Sequence, residues 1–157
     1  MWPLTEGMLL SPIFFILTFT QEDVYKEMAL ASWGKHLVLD ASRCNPASIR
    51  CPYHITDFTK TLVRKIDMVA YGEPQVVSFG SGNKKGYTLV QLIETSNICA
   101  HFVEESDDMY LDVFSCKDFD EALVQKIVRD YFGSDMVQRT HVMIRNAPRR
   151  VPDLELH

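Results

Sequence analysis

Glu94 to Cys116 reads ETSNICAHFVEESDDMYLDVFSC. Two apolar-rich, alternating runs flank the polar cluster Glu104–Asp108, the pattern of a β-hairpin with strands over about 97–104 and 109–116. Side chains alternate along a strand, so Asn97, Cys99, His101 and Val103 share one face, and Ile98, Ala100 and Phe102 the other. Tyr110, Asp112, Phe114 and Cys116 likewise share a face. A turn centred near Ser106 or Asp107 sets Cys116 opposite Asn97 and His101 opposite Asp112. The preceding connection Glu94-Thr95-Ser96 is a tight turn from a strand over 87–93, and it sets Thr88 beside Phe102. Ser96, His101, Cys116 and Thr88 thereby come out as neighbours. A face carrying Asn, His, Asp and Cys is too polar for pure core and demands hydrogen-bond partners or a cleft.

Outward from the hairpin, Gly34–Asp40 (GKHLVLD) is a strand, and Arg43–Pro52 is a loop punctuated by Asn45-Pro46 and Pro52. Ile55, Phe58, Leu62 and Ile66 recur at helical spacing, which predicts an amphipathic helix over 54–68. Gln75–Phe79 is a strand, and Gly80–Gly86 is a flexible connection. Asp118 is the expected N-cap of a second helix that buries Leu123, Val124, Ile127, Val128 and Tyr131 and ends at Gly133. Met136–Ile144 is the last strand. The order β-α-β-β-β-β-α-β predicts an α+β, two-layer sandwich: an antiparallel β-sheet with two helices packed on one face.

The chain has 157 residues, enough for one compact domain with its own core. The net charge of −5 comes without a Lys/Arg run, which argues against nucleic acid as a partner. Cys44, Cys51, Cys99 and Cys116 have irregular spacings in a chain that is not tiny, which fits reduced cytoplasmic thiols better than a disulfide framework. Cys44, Cys51 and His54 lack a fourth ligand at familiar spacing, so no metal site is expected. The apolar run Met8–Phe19, broken by Pro12, is too short to span a bilayer and lacks a basic start. No membrane association is expected.

Taken singly, a serine in a turn, a histidine or cysteine in a strand, and a strand threonine such as Thr88 are usually structural. Their joint spacing raises the functional reading. The stretch Gly86–Cys116 resembles, without gaps, the short bacterial-type S-adenosylmethionine decarboxylase family. The matching residues are Gly86-Tyr87-Thr88-Leu89, Thr95-Ser96-Asn97, His101 to Glu105, and Asp112-Val113-Phe114-Ser115-Cys116. Gly34-Lys35-His36-Leu37 looks like the family's first-strand motif. The resemblance divides the chain into an N-terminal extension (1–32), a decarboxylase-like domain (33–147) and a tail (148–157). Within it, Thr95 stands for a glutamate, Asn97 for a histidine, Thr88 for a serine, and Phe102-Val103-Glu104 for Thr-Trp-Pro.

The resemblance implies that Ser96 is the precursor of a self-generated pyruvoyl cofactor, released by cleavage between Thr95 and Ser96. His101, with Thr88, would assist that cleavage. Cys116 would protonate the product carbon, Glu105 would hold the substrate ribose, and Phe79 would stack on adenine. The implied reaction is decarboxylation of S-adenosylmethionine for polyamine (spermidine) synthesis, in a homodimer of αβ units. A ketone conjugated to an amide supplies the electron sink that no ordinary side chain offers. Two other functions stay open: a pyruvoyl decarboxylase of ornithine or arginine, and an uncleaved paralogue that binds a ligand or an active partner.

Overall fold

The computed structural model describes Thr20, residues 32–133 and residues 135–147. The expectations on the N-terminal extension up to residue 31 and on the tail from 148 lie outside the described residues. The elements are β1 (Gly34–Ser42), α1 (Pro46–Ile49), α2 (Pro52–Lys65), β2 (Ala70–Phe79), β3 (Gly86–Ile93), β4 (Ser96–Val103), β5 (Asp108–Ser115), α3 (Glu121–Phe132) and β6 (Val137–Arg145). The six strands form one antiparallel sheet in the order β2-β3-β4-β5-β1-β6.

Alternation decides which face is covered. Leu37, Leu39, Leu89, Ile98, Phe102, Leu111 and Val113 are almost wholly buried, and they point to the side that meets Ile55, Phe58 and Leu62 of α2 and Val124, Val128 and Phe132 of α3. Burying each large apolar side chain contributes about 1.5–3 kcal/mol relative to exposure. Both long helices therefore lie on one face, as the α+β reading expects. The opposite face carries Val77, Phe79, Leu92, Tyr110 and Met143, all substantially exposed.

The structure departs from the sequence reading in four places. Asn45-Pro46 opens a one-turn helix, α1, instead of a loop: the Asn45 side chain accepts from the N–H of Ala47, and Pro46 occupies the first turn, where its missing donor costs nothing. Asp120, not Asp118, caps α3 by accepting from the N–H groups of Ala122 and Leu123. Asp118 instead pairs with Lys35 at 2.5 Å. Strand β2 starts at Ala70, and an irregularity between Tyr71 and Gln75 accommodates Gly72 (φ +69°) and Pro74 on a sheet edge. The Gly80–Gly86 connection holds a 3-10 turn over Gly82–Lys84.

Both hairpin registers also shift. Asn97 faces Phe114 rather than Cys116, and His101 faces Tyr110 rather than Asp112, a slip of two residues that leaves the faces unchanged. Thr88 faces His101 rather than Phe102, a slip of one residue that brings the two onto the same face. The first slip follows from the turn Glu104–Asp107, where Asp107 takes a positive φ of 54°. Arg50 bonds to Glu104 O and, at 2.6 Å, to Asp107 Oδ1, holding that turn in place. The second follows from a connection of two residues, Glu94-Thr95, between β3 and β4.

Candidate active site

The expected cluster divides into two groups. The first gathers at the end of the sheet where β3 turns into β4 and β5 finishes. Thr95 is the last residue of the turn, and Ser96 opens β4 opposite Ile93 and Ser115. The Cys116 N–H donates to Thr95 O at 3.0 Å, and the Glu94 N–H donates to Val69 O at 3.0 Å, so the turn is held from both sides. Ser96 takes φ +148°, a backbone region that glycine tolerates and other residues pay for at about 1–3 kcal/mol. Such strain persists only where the surroundings impose it. Here it sits on the residue that follows the carbonyl held by Cys116. The Cys116 side chain is exposed. Gly34 of β1 packs directly under this corner: a Cβ there would stand 2.8 Å from Ser115 O.

Side chains complete the corner. Ser115, fully buried, donates its Oγ hydrogen to Thr95 Oγ1 at 3.0 Å and accepts from the Lys117 N–H at 2.9 Å. Thr95 Oγ1 donates to Met68 Sδ at 3.2 Å. Neither Ser115 nor Met68 belonged to the expected site. Ser115 lay inside the quoted motif and had a signal in its place beside Cys116; Met68 lies 27 residues before Thr95 and had none.

The second group lies in the middle of the sheet's open face. Thr88 Oγ1 and His101 Nδ1 are 2.8 Å apart, and the histidine tautomer decides which donates. The Phe79 ring stands edge-on to the His101 ring, with centroids 6.0 Å apart and planes at 74°. His101 is five residues beyond Ser96 on β4, about 16 Å at 3.3 Å per residue, so the Thr88–His101 pair does not reach the Ser96 of its own chain. Glu105 lies in the turn at the far end of the hairpin, farther still from Ser96.

Between the groups, Asp112 accepts from His36 Nε2 at 2.9 Å, while Arg145 Nη1 bonds His36 Nδ1 at 3.1 Å. Arginine only donates, so Nδ1 accepts and Nε2 carries the hydrogen. Asp112 faces Cys99, and burial followed by the Asp112 charge pushes the Cys99 thiol up. Cys44 is buried, and its thiol is pushed up to about 12, first by desolvation and then by Asp108 and Asp107. His54 Nε2 lies 2.9 Å from Tyr131 O, a tie between α2 and α3. Among the described residues, no group of three or more His, Cys, Asp or Glu could hold a metal ion, and no helix is long and apolar enough to cross a membrane.

The S-adenosylmethionine decarboxylase family profile matches residues 35–146. The chain belongs to that family, a family of decarboxylating enzymes. Among solved structures, the adenosylmethionine decarboxylase from Aquifex aeolicus VF5 superposes with a TM-score of 0.58 at 17% identity, over 76% of this chain and 98% of that one. That likeness carries the fold. No curated protein matches the chain.

Proposed function

We propose that this chain is a cytoplasmic, pyruvoyl-dependent decarboxylase of S-adenosylmethionine that cleaves itself between Thr95 and Ser96 and supplies polyamine (spermidine) synthesis. The observation that carries the proposal is the clamp at the cleavage point: Thr95 O accepts from the Cys116 N–H at 3.0 Å while Ser96 is held at φ +148°. Attack of Ser96 Oγ on the Thr95 carbonyl carbon forms a C–O bond and turns the carbonyl oxygen into an oxyanion. The Cys116 N–H then stabilises that charge as it develops. The C–N bond breaks, the hydroxyl proton passes to the departing nitrogen, and an ester links the two segments. Removal of the Ser96 α-proton expels the Thr95 carboxylate and leaves dehydroalanine. Water then replaces the nitrogen as ammonia, giving the pyruvoyl end.

The residues present fit that group. Ser96 is the source, the Cys116 N–H holds the carbonyl of the preceding Thr95, and the Cys116 side chain is exposed. Once formed, the group supplies an electron sink for loss of the substrate carboxylate. Cys116 returns a proton to the substrate α-carbon.

The Thr88–His101 pair lies about 16 Å along β4 from Ser96. The proposed working unit is therefore a homodimer of αβ units in which a second copy's His101 and Thr88 serve this chain's Ser96. Phe79 stands against His101 and would stack on the substrate's adenine; Glu105 would hold the ribose hydroxyls. Phe102 is fully buried, so its departure from the family pattern concerns the core and leaves substrate choice to Asn97 and Val103, which face outward. Incubation of purified protein with S-adenosylmethionine, ornithine and arginine, with product mass measured, tests the reaction. Decarboxylated S-adenosylmethionine supports it, and agmatine or putrescine overturns the substrate.

A further inference from the structure

We infer that Ser115 is a positioning residue for self-cleavage: through the Thr95 hydroxyl it locks the turn so that the scissile carbonyl stays on the Cys116 N–H. The inference rests on the self-cleavage reading and gives Ser115 a role that the resemblance does not assign to it.

Three hydrogen bonds link the residues of this corner. The Lys117 N–H donates to Ser115 Oγ (2.9 Å), Ser115 Oγ donates to Thr95 Oγ1 (3.0 Å), and Thr95 Oγ1 donates to Met68 Sδ (3.2 Å). Ser115 Oγ also lies 3.6 Å from Met68 Sδ, so the two hydroxyls and the sulfur form one closed group, and linked hydrogen bonds reinforce one another in a low-dielectric setting. Both ends are fixed. Met68 is buried just after α2, with its N–H on Val63 O at 2.9 Å, and Lys117 Nζ reaches Asp67 Oδ2 at 2.5 Å. Ser115 is fully buried and is one of three buried polar residues in the described core. A buried hydroxyl must find its hydrogen bonds within the fold, and this one does.

The geometry assigns those bonds a task. Thr95 is anchored twice, by its carbonyl on the Cys116 backbone and by its side chain on the Ser115 side chain. Two attachments to consecutive residues of one strand end fix the orientation of the Thr95 carbonyl plane about the strand axis; one attachment leaves it free to swing. Attack by the adjacent Ser96 Oγ needs that plane presented in one direction, and small misplacements cost rate steeply. Threonine at position 95 and a hydroxyl at position 115 therefore form a matched pair.

The test follows cleavage of freshly synthesised protein in a cell-free system by gel and intact mass. The forms compared are the wild type, Ser115→Ala, Thr95→Val, the double variant and Ser115→Thr. Thr95→Val keeps shape and removes only the hydroxyl. Each single variant should slow cleavage about five- to tenfold, the size of one buried hydrogen bond. The double variant should be no slower than either single one, because both remove the same link. Ser115→Thr should restore the rate. Melting temperatures of the same changes in a Ser96→Ala background separate a rate effect from loss of folding. A wild type that cleaves alongside a Ser115→Ala or Thr95→Val form that cleaves equally fast overturns the inference alone. Multiplying effects in the double variant do the same. A wild type that stays intact overturns the self-cleavage reading and this inference with it.

Discussion

The backbone N–H of Cys116 donates to the carbonyl oxygen of Thr95 across 3.0 Å, joining the end of β5 to the turn between β3 and β4. This bond puts a main-chain donor where the proposed cleavage would develop negative charge. It belongs to the backbone, so side-chain replacement at 116 leaves it in place. Cys116→Ala should therefore still self-cleave yet lose turnover by 100-fold or more, the scale of a missing general acid. Gel analysis and a decarboxylation assay on the same preparation check the two halves separately.

Strain at Ser96 gives a stability prediction that needs no activity. Glycine adopts φ +148° without a Cβ penalty. Ser96→Gly and Ser96→Ala should both remain single chains, with the glycine form more stable by about 1 kcal/mol. Urea denaturation of the two uncleaved forms measures the difference, and equal midpoints would remove the strain from the account.

The distance between Ser96 and the Thr88–His101 pair predicts complementation. A His101→Ala chain made alone should cleave slowly or stall. Co-expressed with Ser96→Ala chains, its intact Ser96 meets a second copy's intact His101, and cleavage of the His101→Ala chain should recover. Differently sized tags on the two chains make the products legible on one gel. Recovery failing in a verified mixed dimer would place His101 in service of its own chain.

Gly34 packs under Ser115 with no room for a methyl group. Gly34→Ala should destabilise the fold by about 1–3 kcal/mol, since backbone rather than a flexible side chain must yield. The displaced Ser115 carbonyl adjoins the Cys116 amide, so cleavage should slow as well. Thermal melting and the cleavage time course are the two readings.

Lys35 ties β1 to the start of α3 through Asp118 at 2.5 Å and Glu121 at 2.7 Å. Burial works to lower its pKa, and the hydrogen bonds it donates to the two carboxylates, with their charge, outweigh that and raise it above 10.5. A folded pKa above the unfolded one stabilises fully below the unfolded value, and that stability is lost as pH climbs through the folded value. The wild type should thus lose stability above about pH 10.5, and Lys35→Met should start lower and show less of that alkaline decline. Denaturant midpoints between pH 8 and pH 11 decide it.

Alternation along residues 94–116 was enough to read the hairpin, the sheet and the covered face, because period two is insensitive to an even slip: the β4–β5 pairing moved by two residues and no side chain changed face. The β3–β4 pairing moved by one, and that shift alone put Thr88 on His101. Turn length sets such shifts, and the Glu94-Thr95 turn is clamped by Val69 and Cys116, partners that no local pattern announces. Helix α1 was hidden because Asn-Pro punctuates loops and also starts helices. Strand pairing brings residues together across strands and says nothing of the five-residue step along β4 from Ser96 to His101, which separates the site's two groups. Met68 reached Thr95 only through the packing of α2.

The central claim is tested most directly by the intact mass of freshly purified protein under denaturing conditions. The account predicts two chains that separate between Thr95 and Ser96, the C-terminal one beginning with a pyruvoyl group in place of serine. A single chain of 18.0 kDa that persists on long incubation would contradict it.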